Sequence, residues 1–297
     1  MNDTIYRLIK AELRQRGVTF PQADPIGQGA YAIVEAAQYE GQPCAAKVSK
    51  ASLADSLNLN NERERGPALW KITNEVAGLV RHITHFVVKV SPTAGVSEYL
   101  VTLWERAERG LDTEIPCRSF KQLQRFLQPI AEAIDALNRQ DIFHRDIKPE
   151  NILLFSNGVA KLGDLGTVRT LIPLIGNTSL VGSPLYGPPE AFENPAARDL
   201  RCHRSTDVYS FAVTYVVMRT GQLPFGGDRT QLVEFDVLLE RKRDLALMRE
   251  SMINFGFEPE EVDILLLALE PNKDRRPETG AIALLNSLSQ VRSNREE

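Results

Sequence analysis

The chain contains 297 residues, which is enough for one large domain or two small ones. Hydrophobic residues make up 43% and charged residues 25%, a composition typical of a folded globular protein rather than a disordered, collagen-like or membrane-embedded chain. The formal net charge of -4 gives no bulk attraction to nucleic acid or to anionic lipid, so we expect neither as a partner.

The predicted elements divide the chain into a β-rich first part and a helical second part. Residues 1–20 have the pattern of a short amphipathic helix. From about Asp24 to Val101, glycines separate short strand-like segments, which are interrupted by one helix predicted from Ala68 to Arg81. From Phe120 onward helical periodicity dominates, with brief strands only at NILLF and VAKLG, and a tail follows at 291–297.

The cysteines and the apolar segments indicate the cellular compartment. Cys44, Cys117 and Cys202 are scattered without a CxxC pattern, which predicts neither a disulfide framework nor a zinc site and indicates a reducing compartment. The N-terminus has no unbroken apolar core, so it predicts neither a signal peptide nor an anchor. No later apolar run reaches the ~18 residues that a membrane span needs. We therefore expect a cytoplasmic protein without a membrane segment.

A candidate catalytic loop follows the helix that is predicted to end near Arg139. It reads HRDIKPEN, from His144 to Asn151, and resembles the loop H-R-D-x-x-x-x-N of the protein kinase family. The resemblance implies that Asp146 accepts the proton of the attacking hydroxyl and that Asn151 binds magnesium. Lys148 matches kinases that phosphorylate serine or threonine, in which the ammonium neutralises charge on the transferred phosphate.

A candidate metal ligand lies thirteen residues after Asn151. Asp164-Leu165-Gly166 resembles the D-F-G motif, with leucine in the place of phenylalanine as the bulky apolar residue. The resemblance implies that Asp164 binds a magnesium ion that bridges the β- and γ-phosphates.

Candidate nucleotide-binding residues lie upstream. The segment IGQGAYAIV, from Ile26 to Val34, resembles the family's glycine-rich loop, with Ala32 replacing the third glycine. Ala45-Ala46-Lys47 is similar to V-A-I-K, which implies that Lys47 contacts the α- and β-phosphates. The resemblance assigns ATP binding to these residues: Ile26, Gly27, Gly29, Val34, Ala45, Lys47, Glu105, Ala107 and Leu153.

The lysine of this motif requires a carboxylate partner, for which Glu75 is the main candidate. The segment NEVAGLVRH resembles the family's regulatory helix, and Glu75 is expected to face inward with the apolar stripe of that helix. Glu62 and Glu64 are the alternatives. The stretch from Lys47 to Glu75 is longer than is usual for the family, which indicates an insertion at 51–66.

The hinge of the family follows a strand, and YLVTLWERAERG fits that place. Backbone groups of Glu105 and Ala107 would then bind the adenine edge. The register leaves two candidates for the gatekeeper position, Trp104 and Leu103.

Structural and regulatory residues occur in the helical part. The segment GSPLYGPPE, which ends at Glu190, resembles the end of the family's activation segment, with Ser183 in the place of threonine. The resemblance implies an ion pair between Glu190 and Arg276, and a role for Asp207 in supporting the catalytic-loop backbone.

Autophosphorylation is a further expectation from the family. Thr170, Thr178 and Ser179 lie where a phosphate opposite Arg145 could order the activation segment.

The resemblance implies an α+β fold with two lobes, a β-rich N-lobe with one regulatory helix and a mainly helical C-lobe. The expected boundaries are these: an extension at 1–20 and a kinase domain at 21–290, with the N-lobe at 21–104, the hinge at 105–109 and the C-lobe at 110–290. The implied function is transfer of the ATP γ-phosphate, with Mg²⁺, to serine or threonine of protein substrates.

Two other functions compete with this interpretation. A pseudokinase scaffold is disfavoured because the full set of catalytic residues is present. A small-molecule kinase is disfavoured by the GSPLYGPPE segment and by Arg276.

Overall fold

The computed structural model describes residues 1–29, 32–55, 66–67, 70–93, 95–165, 169–170, 183–193, 204–230 and 233–296. The chain forms two compact units, Met1–Glu108 and Arg109–Glu297. Several residues singled out in the sequence lie outside the described part: Glu62, Glu64, Gly166, Thr178 and Ser179, together with most of the predicted insertion.

The first unit contains a six-stranded antiparallel sheet in the order β1-β3-β4-β6-β5, with β2 paired to β3. Its strands are β1 (Val18–Thr19), β2 (Gly27–Gln28), β3 (Ala32–Tyr39), β4 (Gln42–Ser49), β5 (His82–Thr93) and β6 (Gly95–Glu105). The sheet confirms the prediction of a β-rich first part.

The strand register divides this sheet into two faces. Lys47 pairs with Thr102 and Ala45 pairs with Trp104 across β4 and β6. Because side chains alternate along a strand, Ala45, Lys47 and Trp104 share one face, whereas Leu103 lies on the opposite face. We call these the lysine face and the outer face.

The outer face is covered by the N-terminal helix α1 (Asp3–Gln15). Its Ile9 and Leu13 are fully buried in one core with residues of the outer face, including Leu103. Asn2 caps the start of the helix: its Oδ1 accepts a hydrogen bond from the Ile5 N–H at 2.9 Å. The sequence left open whether residues 1–20 pack on the N-lobe, and the structure shows that α1 completes its core.

A buried carboxylate attaches α1 to the sheet. Glu35 of β3 is fully buried, and its Oε1 accepts hydrogen bonds from the Tyr6 hydroxyl and from the Lys10 ammonium, the latter at 2.8 Å. Burial, together with the neighbouring Glu35 carboxylate, raises the pKa of Tyr6, so this hydroxyl stays a donor. The two donors from α1 therefore offset part of the cost of burying the Glu35 charge.

The helix between β4 and β5 ends earlier than the sequence predicts. Residues 66–67 and 70–75 are helical and form the described parts of α2, whereas the prediction ran from Ala68 to Arg81. Leu79 and Val80 are buried outside the helix. The predicted end was wrong because helical spacing of apolar residues continues past a glycine, Gly78, which disfavours helix, into a buried turn.

Aromatic and histidine side chains fix α2 on β5. The rings of Trp70 and His82 are stacked with centroids 4.3 Å apart, and His82 meets Trp104 edge-on at 5.1 Å. The His82 N–H also donates to Thr73 Oγ1 at 3.0 Å, which ties the end of the helix to the start of the strand. Burial, followed by the nearby His85, lowers the pKa of His82 to about 4, so the ring is neutral at physiological pH.

The second unit is mainly helical, which confirms the predicted helical part. Its helices are α3 (Phe120–Asn138), α4 (Glu190–Glu193), α5 (Arg204–Thr220), α6 (Phe235–Arg241), α7 (Leu245–Asn254), α8 (Pro259–Ala268) and α9 (Ala281–Glu296). In α5, 14 of the 17 residues are buried, so this helix forms the centre of the unit. The predicted tail at 291–297 needs correction, because α9 continues to Glu296.

Short strands and turns position the loops of the second unit. They are β7 (Arg109–Gly110), β8 (Ile142–Phe143), β9 (Ile152–Leu154), β10 (Ala160–Leu162) and β11 (Arg169–Thr170). The order β10-β9-β7 forms one small sheet, and β8 pairs with β11 in another. None of the helices described combines the length and the apolar character that crossing a bilayer requires.

Replacing Ile9 by Ala tests the packing of α1. We expect Ile9→Ala to lower the free energy of unfolding of the first unit by about 3 kcal/mol, because the cavity is left in a closed core. Both tryptophans of the chain, Trp70 and Trp104, lie in this unit, so tryptophan fluorescence during urea unfolding reports on it selectively. Leu8→Ala, at a helix position that is 39% exposed, is the matched control. Equal stability of the two variants would contradict the docking of α1.

Candidate active site

The catalytic loop is held by one buried carboxylate of α5. Asp207 is fully buried, and its two oxygens accept hydrogen bonds from the N–H groups of His144 at 2.9 Å and Arg145 at 2.8 Å. Burial raises the pKa of the Asp207 carboxyl, and the N–H groups of the loop oppose that shift. Arg145 has a φ of 69°, a left-handed conformation that is unfavourable for a residue with a side chain. The predicted support of the loop by Asp207 is confirmed.

The carboxylate of Asp146 is surrounded by three donors. Its Oδ2 accepts from Lys148 Nζ at 2.7 Å and from Asn151 Nδ2 at 2.9 Å, and its Oδ1 accepts from the Ser183 N–H at 2.9 Å. The residue is only 7% exposed. These bonds fix the orientation of the carboxylate and bring together the loop residues that the sequence predicted.

Backbone contacts join this loop to the segment that carries Asp164. The carbonyl of Gly163 lies 2.8 Å from His144 Nε2, and the Gly163 N–H donates to the carbonyl of Asn151 at 2.8 Å. Asp164 follows with a φ of 53°. The segments that carry the two candidate metal ligands, Asn151 and Asp164, are thus joined by hydrogen bonds of both the N–H and the carbonyl of Gly163.

The chemistry of these residues fits a magnesium ion. The Nδ2 of Asn151 donates to the carbonyl and to Oδ2 of Asp146, so its Oδ1 is the atom that can ligate a metal. Across the described ranges, no group of three or more His, Cys, Asp or Glu is arranged to hold a metal ion. Mg²⁺ prefers oxygen ligands and is commonly held by one or two carboxylates together with substrate phosphates and water.

The candidate nucleotide-binding residues of the first unit lie largely on the lysine face. Val34 of β3 pairs with Lys47 of β4, and Ala45 and Trp104 lie on the same face. Leu103 is fully buried on the outer face. Of the two gatekeeper candidates, therefore, only Trp104 has the orientation of Lys47.

The glycine-rich segment forms the start of a hairpin with β3. Gly27 pairs with Val34, and the Gly29 N–H donates to the carbonyl of Ala32 at 3.0 Å. Ile26 is 46% exposed, while its N–H donates to the carbonyl of Val34 at 2.9 Å. The segment is therefore paired antiparallel with β3, and its contact with phosphates stays a prediction.

The expectation that Glu75 faces inward is wrong. Glu75 is the last helical residue of α2, its side chain is 56% exposed, and its Oε1 lies 3.9 Å from the Nζ of Lys71. Because α2 ends here, the carboxylate extends from the helix terminus into solvent and not with the apolar stripe. The apolar spacing that assigned Glu75 to the buried side continues beyond this residue, but the helix does not.

The remaining predicted nucleotide contacts lie in or beside strands β6 and β9. Glu105 ends β6, and its N–H donates to the carbonyl of Arg81 at 2.9 Å. Ala107 follows in the connection before β7, and Leu153 lies in β9 opposite Lys161 of β10. Their contacts with adenine stay predictions.

The predicted ion pair between Glu190 and Arg276 is confirmed. The two guanidinium nitrogens Nη1 and Nη2 of Arg276 contact Oε1 and Oε2 of Glu190 at 2.7 and 2.8 Å. The Arg276 side chain is 1% exposed and its Nε donates to the carbonyl of Glu270 at 2.6 Å. This pair anchors the end of the segment that begins at Ser183.

A second buried cation lies beside this pair and was missed by the sequence analysis. Lys242 follows α6 and is fully buried, with its Nζ donating to the carbonyl of Gly187. Burial, only partly offset by Glu190 and reinforced by Arg276, lowers the pKa of Lys242 to about 7. Its neighbours in the sequence are also charged, so no local pattern distinguishes this lysine from a solvated one.

One predicted phosphorylation site lies within the described part of the chain. The backbone of Thr170 pairs with Ile142 in the ladder between β11 and β8, just before the catalytic loop. Thr178 and Ser179 lie outside the described residues.

The sheet-based first unit, the helical second unit and the loop around Asp146 together define the two-lobed fold of the protein kinases. Residues 20–288 match the protein kinase domain, and the chain belongs to the protein kinase family. The helix α1 lies outside the matched region.

Three curated relatives show the range of similarity. The chain is 36% identical over 159 residues to the dual specificity mitogen-activated protein kinase kinase mek-1 of Caenorhabditis elegans, covering 52% of this chain and 41% of that protein. It is 28% identical over 282 residues to the serine/threonine-protein kinase unc-51 of the same organism, covering 87% and 30%. It is 32% identical over 148 residues to the serine/threonine-protein kinase PknL of Mycobacterium tuberculosis, covering 49% and 35%. The matched region is thus less than half the length of each relative.

Removal of Glu190 tests the buried ion pair. Glu190→Ala leaves the Arg276 and Lys242 cations buried without their carboxylate, and we expect the free energy of unfolding to fall by about 3–5 kcal/mol. Far-UV circular dichroism during urea unfolding measures the loss of the helical second unit. Glu240→Ala, at an exposed position of α6, is the control and should change stability by less than about 0.5 kcal/mol. Similar midpoints for the two variants would argue against the pair as an anchor.

The lowered pKa of Lys242 predicts a pH dependence of stability. Between pH 7 and about 10, residue 242 binds more protons in the unfolded chain than in the folded one, because the ordinary pKa of lysine is about 10.4. The folded state therefore gains stability as pH rises above 7, by up to about 1.4 kcal/mol per pH unit. Urea unfolding at pH 7, 8 and 9 should show this rise in the wild type relative to Lys242→Met. Parallel profiles would mean that Lys242 does not titrate in this range.

Proposed function

We propose that this chain is an ATP-dependent protein kinase that phosphorylates serine or threonine hydroxyls of protein substrates. The observation that carries the proposal is the Asp146 carboxylate, which is oriented by Lys148, Asn151 and the Ser183 N–H at 2.7–2.9 Å. A general base must be held within hydrogen-bond reach of the proton that it removes. Such fixed geometry supports a catalytic role for Asp146.

In the proposed reaction, Asp146 accepts the proton of the acceptor hydroxyl as its oxygen attacks the γ-phosphorus of ATP. The bond between the γ-phosphorus and the β–γ bridging oxygen breaks, and ADP leaves with the electron pair of that bond. Lys148, whose ammonium lies 2.7 Å from Asp146 Oδ2, would neutralise charge on the transferred phosphoryl group.

The remaining predicted residues would bind the nucleotide and its metal. Asn151, through its Oδ1, and Asp164 would hold Mg²⁺, which neutralises phosphate charge when bound. From the lysine face, Lys47 would contact the phosphates. The other proposed contacts are with the phosphates from Gly27 and Gly29, and with adenine from Ile26, Val34, Ala45, Glu105, Ala107 and Leu153.

Serine or threonine specificity has two supports. One is Lys148, in the place typical of kinases for these residues. The other is the similarity to unc-51 and PknL, both of which are serine/threonine-protein kinases. The similarity to the dual specificity kinase mek-1 makes tyrosine the acceptor to test against them.

A nucleotide-binding scaffold is the alternative function. A protein kinase requires a Lys–Glu ion pair for activity. Glu75 contacts Lys71 at 3.9 Å and its side chain is 56% exposed, and the other candidate partners of Lys47, Glu62 and Glu64, lie outside the described residues. Transfer of phosphate to an acceptor therefore decides between the scaffold and the kinase.

Autophosphorylation of the activation segment is part of the proposed regulation. Thr170, Thr178 and Ser179 are the candidate acceptors, and Arg145 is the candidate partner of the phosphate. Phosphopeptide mapping after incubation with ATP and Mg²⁺ would reveal it, and a fully active yet unmodified enzyme would contradict it.

Phosphate transfer from radiolabelled ATP tests the proposed function. We expect the wild type, with Mg²⁺, to label serine- or threonine-containing protein acceptors, and Asp146→Asn to reduce the rate at least about a hundredfold because the base is lost. The acceptor panel includes tyrosine peptides and small metabolites. Asp236→Asn, on the exposed side of α6, is the matched control and should retain wild-type activity.

The possible results separate the competing functions. Nucleotide binding without transfer to any acceptor would establish the scaffold, and labelling of metabolites alone would establish a small-molecule kinase. Labelling that survives in Asp146→Asn would exclude Asp146 as the base.

A further inference from the structure

Lys242 is a buried charged residue for which the proposed reaction has no role. Its side chain is fully buried, and its Nζ lies 5.6 Å from the ring centre of Tyr209 and 5.1 Å from that of Phe225. The ammonium donates a hydrogen bond to the carbonyl of Gly187. An apolar side chain of similar length would fill this space without the cost of burying a charge.

The carbonyl that Lys242 binds belongs to a turn that contacts the catalytic aspartate. The Gly187 N–H donates to the carbonyl of Ser183 at 2.9 Å, and the Ser183 N–H donates to Asp146 Oδ1 at 2.9 Å. A continuous series of three hydrogen bonds therefore connects Lys242 to Asp146. The turn is also closely packed, since a Cβ on Gly187 would lie 2.8 Å from the ring of Phe192.

The charges around Lys242 do not explain it as an ordinary ion pair. The nearby carboxylate is Glu190, whose two oxygens are already bonded to Arg276. Arg276 is itself a buried cation, and its ring contact is with the same Tyr209, at 4.9 Å. The strong directional interaction that remains for Lys242 is the bond to Gly187, which fixes the position of the turn.

We propose that Lys242 is a positioning residue for the acceptor substrate. By holding Gly187, it fixes the segment 183–190 relative to Asp146, so that a hydroxyl presented on this segment meets the base. This inference rests on the proposed protein kinase activity. Acceptor binding and phosphate transfer then depend on Lys242 through this segment, whereas nucleotide binding does not.

Steady-state kinetics of Lys242→Met test this role, with the protein acceptor identified by the labelling assay. We expect kcat/KM for the acceptor to fall at least about tenfold, while the KM for ATP and the slow hydrolysis of ATP by water change less than about twofold. Lys121→Met, at an exposed position of α3, is the matched control and should have wild-type values for all three. Circular dichroism establishes that each variant is folded.

A second variant guards against loss of the fold. If Lys242→Met does not fold, Lys242→Gln, which keeps a donor of lower strength, is measured in the same way, and we expect at least about a threefold fall for the acceptor alone. Unfolding of both variants would overturn the proposal, since Lys242 would then be needed for the fold itself. Equal losses for acceptor and ATP would overturn it as well.

The failure of this inference is distinguishable from failure of the proposed function. A wild type that transfers phosphate to acceptors, together with Lys242→Met of unchanged kcat/KM, would overturn the role of Lys242 alone. A wild type that labels no protein acceptor would overturn the protein kinase activity and this role with it.

Discussion

The arrangement of the catalytic loop depends on the buried carboxylate of Asp207. It accepts hydrogen bonds from two consecutive backbone N–H groups, and these bonds are made in the buried interior, where the low local dielectric constant strengthens them. They hold Arg145 in a left-handed conformation that the free chain would avoid. The conformation of Arg145 in turn sets the direction in which the next side chain, that of Asp146, projects from the loop. The carboxylate can do this because α5 is buried along nearly its whole length and places Asp207 at a fixed point.

The segment 183–190 is held from its other end by buried cations. Arg276 binds Glu190 through two parallel bonds, and Lys242 binds the carbonyl of Gly187. Burial is the main cause of the lowered pKa of Lys242; Glu190 partly offsets it and the neighbouring Arg276 cation adds to it. Two buried cations in the core of the second unit, Arg276 and Lys242, thus position the segment that would receive a substrate.

The first unit combines a family feature with one of its own. Its lysine face carries Val34, Ala45, Lys47 and Trp104, the residues expected around a nucleotide, whereas α1 covers the outer face and lies outside the matched kinase domain. Covering that face buries Ile9 and Leu13 and makes the N-terminal helix part of the core. Glu75, which the family resemblance places facing inward, is instead 56% exposed at the end of α2.

The sequence by itself determined the family and the two kinds of unit, and it predicted the residues of the candidate site, because the chemistry of phosphate transfer requires particular side chains at short, fixed spacings. HRDIKPEN is such a local pattern, and the bonds among Asp146, Lys148 and Asn151 follow from it. Only the tertiary structure decided the face of Trp104, the end of α2 at Glu75, the docking of α1 and the burial of Lys242. These depend on strand register and on contacts between residues distant in the chain. The sequence around Glu75 and around Lys242 does not indicate burial. The apolar spacing near Glu75 would be the same if its side chain were buried, and the charges flanking Lys242 would be the same if its side chain were exposed.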